Sequence, residues 1–366
     1  MRRLLPLLPL SILYLLSRLP GPVESWAQSL SPVLNQGIGR ASSLLPISLA
    51  EVGGGGLILL LGGYALNAAI RARRAGWPWH RLLGRGLHRL VQLVLLGLTF
   101  FYAVWGLNYA RAPIATRLGW EEAGNTTPDE LMAVGLKLAE LSNNAYQEAF
   151  GTDDLGVSSD LPPLPEVQTS LERAYTIVQM RFAFEPSFSL PRPAPKPLQF
   201  ASLFTRLGLL GFYSPFTGEA NFHASAPGQQ LGHAIAHEKA HQRGIGPEDE
   251  ANFVGYLVAG SADMPYLRYS AYLFAFKQVY YQLYRVGADY GALLGHVATG
   301  PRRDMEVAYN FWHAHEGILR DVSRTVNDSY LKVNGQEGIE AYNQSLRLIL
   351  SWTHRNKGDP SLAQRL

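Results

Sequence analysis

His237-Glu238-Lys239-Ala240-His241 sets two imidazoles four residues apart with a carboxylate directly after the first. Positions i and i+4 of an α-helix share a face, so both rings could reach one zinc ion while Glu238 faces the water bound to it. The required helix is legible on both sides of the motif. Residues 228–236 run into it without a proline break, and Gly244-Ile245-Gly246-Pro247 reads as a stop followed by a restart, with glycine at C′ and proline at N1 of the next helix.

Catalytic zinc takes three protein ligands and leaves a fourth position to water, so another donor is required. The second helix opens with Glu248-Asp249-Glu250. Its run Glu250-Ala251-Asn252-Phe253 resembles the EAN or EAD motif of glutamate-type zincins, and that resemblance implies Glu250 as the third ligand. Only eight residues separate it from His241, which demands a tight helical hairpin. Glu248 is the alternative ligand, and a blander reading has all three acids complementing the helix dipole. The metzincin pattern HExxHxxGxxH finds its glycine at Gly244 but Pro247 at its third histidine, and proline cannot ligate. An intramembrane site-2-type protease would need the motif inside a membrane helix, and the surroundings of His237 are too polar for that.

The HEKAHQRG core, the EANF run, residues 211–220 (GFYSPFTGEA) and residues 326–332 (VNDSYLK) together resemble a bacterial family of unknown function, DUF3810. The resemblance covers most of the chain, membrane segment included. It implies a membrane-anchored, zincin-like protein and brings no substrate with it.

The chain of 366 residues is 47% hydrophobic and 17% charged, and its apolar excess lies in residues 1–107. Apolar runs at Leu4–Leu19, Val52–Ile70 and Leu87–Leu107 predict three membrane helices. A cleavable signal peptide ending near Ser25-Trp26-Ala27 is the alternative for the first. Arg71, Arg73, Arg74, Arg81 and Arg85 crowd the loop between the second and third runs, whereas residues 20–50 contain one basic residue, Arg40. The positive-inside rule then places the arginine loop in the cytoplasm and everything after about Asn108 outside it, and with the resemblance to a bacterial family this implies a multi-pass protein of the inner membrane.

A net charge of +3 does not signal nucleic-acid binding, because five arginines belong to that loop and no basic patch interleaved with aromatics remains. Zero cysteines excludes thiol catalysis, disulfides and thiolate metal ligands, leaving histidine and carboxylate as zinc donors.

Three regions are expected: a membrane anchor over 1–107, a helical connector region over 108–200, and a zincin-like catalytic core over 201–366, mainly α with a small β element. Helices are predicted over 127–150, 166–181, 265–286, 303–330 and 337–354, and residues 209–222 suggest a hairpin or edge strand bordering the cleft. The tyrosines and phenylalanine from Tyr266 to Tyr280 read as packing.

The expected reaction is peptide hydrolysis, with zinc held by His237, His241 and Glu250 and with Glu238 as general base. Tyr330, His313 and His315 are candidates to stabilise the oxyanion, although two histidines two apart on a helix cannot both enter one site. His233, one turn before His237, suits support of the site better than ligation. The substrate would be a peptide or protein outside the cytoplasm, and the sequence does not fix the oligomeric state. The alternative function is a non-catalytic envelope protein that uses a zincin-like scaffold or a structural zinc for partner binding.

Overall fold

The N-terminal third is built of long helices: α1 (Leu7–Leu16), α2 (Pro20–Ser42), α3 (Leu49–Arg74) and α4 (Trp79–Val104). The structure, a computed structural model, describes residues 7–76, 78–120, 124, 126–151, 160–338 and 341–362. Among the described residues, two helical stretches, α3 and residues Leu83–Val104 of α4, are long and apolar enough to cross a bilayer, and few of their side chains are buried within the protein. Three spans were expected. Helix α1 is described over 10 residues, about half the ~20 that a crossing needs, and it packs along α4.

Helix α2 occupies what the sequence suggested was a loop. Its buried face carries Val23, Ala27, Ser31, Asn35 and Gly39, and these side chains meet the rest of the fold. The Tyr213 hydroxyl donates to Asn35 Oδ1 at 3.0 Å, Arg192 Nη1 donates to the Pro32 carbonyl at 3.1 Å, and Arg111 pairs with Glu24 at 3.0 Å. Gly39 approaches the Gly218 carbonyl closely: a Cβ there would stand 3.0 Å from its oxygen, so a side chain would need the turn at Gly218 to shift. Residues 20–42 therefore belong to the folded domain by contact.

That domain contains α5 (Ile114–Arg117), α6 (Pro128–Phe150), α7 (Leu164–Phe182), α8 (Ala201–Leu207), α9 (Gly228–His241) and α10 (Glu248–Gly260). It continues through α11 (Pro265–Arg285), α12 (Tyr290–Gly295), α13 (Thr299–His313), α14 (Ile318–Val333) and α15 (Ala341–Arg355). The expected helices appear with small shifts, and α6 starts with a capping box between Thr127 and Glu130. The helix expected over 303–330 is two helices, interrupted at residues 314–317.

A small mixed sheet completes the fold. Strands β1 (Lys196–Pro197), β2 (Gly211–Ser214) and β3 (Glu219–Phe222) lie in the order β1-β3-β2, with β1 parallel and β2 antiparallel to β3. The two EANF tetrapeptides have unrelated settings, one on β3 and one on α10.

Helix α10 is buried along almost its whole length and packs against α9, α11, α15 and α7. A single hydrophobic core reaches from Ile114 to Leu362, so the 108–200 and 201–366 portions share it. The start of α3 is tied to this domain: Leu49 and Ala50 donate backbone N–H bonds to the Glu219 carboxylate at 3.1 and 2.8 Å. Glu51 accepts from the backbone amides of Gln199 and Phe200 at 2.6 and 2.5 Å. Both membrane-length helices thus meet the domain at one end, and the arginine-rich turn lies at the other.

Candidate metal centre

Helix α9 ends on the motif. Gly244, at φ +82°, reverses the chain in the left-handed conformation that glycine adopts without strain, and Pro247 caps α10 one position earlier than expected. The hairpin brings the first residue of α10 against the last turn of α9. His237 Nε2 and His241 Nε2 lie 3.1 Å apart, and Glu248 Oε2 is 3.1 Å from the first and 3.5 Å from the second.

Glu250 is elsewhere. Its carboxylate accepts from the Ile114 backbone N–H at 2.7 Å and from Arg117 Nη2 at 2.9 Å, which makes it a strut between α5 and α10. The third-ligand expectation therefore moves from Glu250 to Glu248. The reason is helical geometry: two residues correspond to about 200° of rotation, so when Glu248 faces α9, Glu250 must face away.

Burial alone would raise the Glu248 carboxyl, but the imidazoles of His241 and His237 outweigh it and hold the group well below the usual carboxylate range. His241 shows the reciprocal effect. Burial opposes its charge, yet Glu248 raises it to about 9.

His241 Nδ1 lies 2.7 Å from the Ile245 carbonyl, and donation there leaves Nε2 as the free lone pair in the neutral ring. The three facing donor atoms fit a small tetrahedral ion: bonds of about 2.0–2.1 Å give donor separations near 3.3 Å. His237, Glu238 and His241 also form a buried trio whose donor atoms lie within 4.8 Å. Glu248 is the carboxylate whose oxygen stands at 3.1 and 3.5 Å from the two Nε2 atoms, so it is the one that could share an ion with both rings.

Glu238 sits at the floor of the adjoining cleft. Its Oε2 is buried without a hydrogen-bond partner, and burial raises its carboxyl to about 7. Gly211 opens β2 directly beside it, where a Cβ would stand 2.9 Å from Glu238 Oε1 and 2.5 Å from the Asn221 carbonyl. The cleft has a volume of about 1110 Å³, and β2, one of the two outer strands of the sheet, lines it together with Leu209, Leu210 and Pro215, the first half of the stretch expected to border it. His237, Glu238, His241 and Glu248 lie along it with Tyr330.

The Tyr330 hydroxyl is 2.9 Å from that of Tyr109, a second cleft residue that sequence reasoning missed. Burial keeps Tyr330 protonated, with its pKa above the usual phenol value. His313 and His315 lie outside this cleft, on an exposed segment: His313 faces Glu316 and His315 Nδ1 faces the Phe311 carbonyl. His233 lines the cleft but does not join the metal donors. Its ring stacks on Phe274 at 3.6 Å, its Nε2 meets the Asn252 carbonyl at 3.0 Å, and burial lowers its pKa to about 3.

Behind the motif lies a buried ion cluster that the sequence did not announce. Lys239 Nζ reaches Glu172 Oε1 at 2.8 Å, and Arg243 Nη2 reaches Glu172 Oε2 at 2.7 Å. Arg243 also stacks on Tyr175, whose hydroxyl donates to the Ala236 carbonyl at 2.7 Å. From the membrane side, Trp105 Nε1 donates to the carbonyl of His241 itself at 2.9 Å.

No curated protein and no solved structure matches the chain. A family model does, over residues 26–350, which takes in α3, α4, the cleft and the hairpin. The chain belongs to the family described as protein of unknown function (DUF3810).

Proposed function

We propose that the protein is a membrane-anchored zinc-dependent peptidase, with His237, His241 and Glu248 holding the metal and Glu238 as general base. The observation that carries this reading is the Nε2/Nε2/Oε2 triangle with edges of 3.1, 3.1 and 3.5 Å beside an unpartnered buried carboxylate. Zinc bound there would act as Lewis acid and acidify its water. Glu238 would take the proton from that water and return it to the leaving amine, a task suited to a carboxyl raised to about 7. Tyr330 and Tyr109, which also line the cleft, offer hydroxyl donors for the developing oxyanion. The free edge of β2 would pair with an extended substrate backbone.

The scaffold alternative leaves Glu238 unexplained, since a structural metal has no use for an unpaired carboxylate aimed into a cleft. The arginines at the far end of α3 and α4 support a cytoplasmic turn and an extracytoplasmic domain.

The test uses the full-length protein in detergent, measuring zinc content and hydrolysis of a denatured protein mixture. Zinc is expected in both the parent and Glu238→Gln, with hydrolysis reduced by about 10²–10⁴-fold in the variant. Absence of zinc from the parent, or equal hydrolysis by both, would overturn the reading.

A further inference from the structure

Helix α14 is built inside out. Arg320, Ser323, Asn327 and Leu331 face inward: Leu331 is fully buried, and Arg320 donates to the Trp312 carbonyl at 2.9 Å. The adjoining face is apolar and little covered, with Ile318 81%, Val326 64% and Val333 79% exposed and Leu319 and Val322 beside them; Leu319, Val322 and Val326 also border the cleft, so the stripe runs along its edge. A helix that turned this stripe toward water would contradict the usual placement of an apolar face against a core.

The position of α14 identifies what covers the stripe. Its C-terminal end abuts the domain end of α4, where the Tyr102 hydroxyl donates to Asn334 Oδ1 at 3.0 Å and Phe101 meets Tyr330 edge-on at 6.4 Å. Across the cleft the β2–β3 turn reaches the same helix, since Phe216 stacks on Phe100 at 5.6 Å. Helix α8 packs on α14 and exposes Leu203, and exposed Phe200, just before α8, is bonded through its backbone to Glu51 at the start of α3. The exposed apolar residues thus continue from the two membrane-length helices around the mouth of the cleft.

We propose that α14, α8 and the β2–β3 turn rest in the interfacial layer of the membrane crossed by α3 and α4, so that the cleft opens at the lipid surface. Amphipathic helices seat an apolar face about 5–10 Å into the headgroup and acyl boundary, and a stripe on a 16-residue helix suits that depth. The proposal rests on the membrane-anchor reading and not on peptidase activity. A polypeptide lying along the bilayer would then be the one presented to β2.

The absence of cysteine allows single labels to be placed cleanly. Ile318→Cys, Val326→Cys and Val333→Cys in the full-length protein, each carrying an environment-sensitive fluorophore, would be reconstituted into phosphatidylcholine/phosphatidylglycerol vesicles. Leu59→Cys on α3 serves as the bilayer control, and Glu140→Cys on α6 as the water-facing one.

Expected are blue-shifted emission at the α14 sites, quenching by headgroup-proximal nitroxide lipids, and loss of quenching by aqueous iodide relative to Glu140→Cys. Iodide access at α14 with Leu59→Cys quenched by lipid would overturn this proposal and leave the anchor intact. Protection from both quenchers, with cross-linking between copies, would overturn it in favour of self-association. Failure of lipid quenching at Leu59→Cys would remove the anchor and the proposal together, with the zinc assay unaffected.

Discussion

At the scale of single residues, the candidate site turns on two glutamates two positions apart. Glu248 faces the imidazoles and Glu250 faces Arg117, so their substitutions should separate. Glu248→Ala is expected to lose most of the bound zinc while the fold persists. Glu250→Ala is expected to retain the metal but lose about 1–3 kcal/mol of stability, because it takes one of two carboxylates from a largely buried guanidinium and leaves the Ile114 amide without its acceptor. Metal analysis alongside thermal unfolding checks both. Zinc loss on changing Glu250 with none on changing Glu248 would reverse the assignment. His237, Glu238 and His241 were legible in the sequence because their relation depends only on the helical repeat. The carboxylate that faces them was not, because its identity depends on where α10 begins and on the rotation that Gly244 and Pro247 impose, which residue types alone do not fix.

At the scale of elements, α9 is held from behind by α7, and this support is electrostatic. Glu172 accepts from Lys239 and Arg243 in a setting where burial would raise its carboxyl, yet the two cations win and lower it to about 2. A folded value below the unfolded one means that this carboxylate stabilises fully above about pH 4.5 and that the contribution disappears as pH falls toward 2. At about 1.4 kcal/mol per unit, the loss is on the order of 3–4 kcal/mol. Glu172→Gln should therefore be less stable than the parent near neutrality, and the gap should close across that acid window in thermal unfolding curves. A gap that stays constant from pH 6 to 2 would contradict the assignment.

The strand on the other side of α9 makes a steric prediction. Gly211→Ala would push a methyl group into the Asn221 carbonyl and the Glu238 carboxylate. It should cost about 1–3 kcal/mol and displace β2 from the motif helix, which unfolding midpoints would detect; an unchanged midpoint would refute the close approach. The helices themselves were readable from apolar spacing and from Thr127, Gly244 and Pro265. The Glu172 cluster was not readable, since a charged residue at helical spacing looks the same in sequence whether it faces solvent or a buried lysine.

At the scale of the whole molecule, the membrane-proximal segment takes part in building the site. Sequence patterning separated residues 1–107 from the rest by their apolar excess. The division fails physically because α2 lies on the domain and because Trp105, immediately after α4, bonds to the carbonyl of His241. Trp105 also packs with Phe101 and Val104, against which Leu34, Ile38 and Tyr213 are placed, so one aromatic side chain joins α2, α4, β2 and the end of the motif helix. Apolar periodicity cannot show such a junction, since an aromatic residue at a membrane helix end is equally expected as an interfacial anchor.

The consequence is measurable in the intact protein. Trp105→Phe keeps most of the ring but removes the N–H donor, and should cost about 1 kcal/mol with zinc retained. Trp105→Ala empties a buried site and should cost about 3–5 kcal/mol. Because the lost contacts reach His241, the alanine variant should also weaken zinc retention against a chelator, whereas a remote core truncation of similar cost, such as Leu138→Ala on α6, should not. Equal chelator sensitivity in the two truncations would mean that α4 anchors the domain without shaping its metal centre.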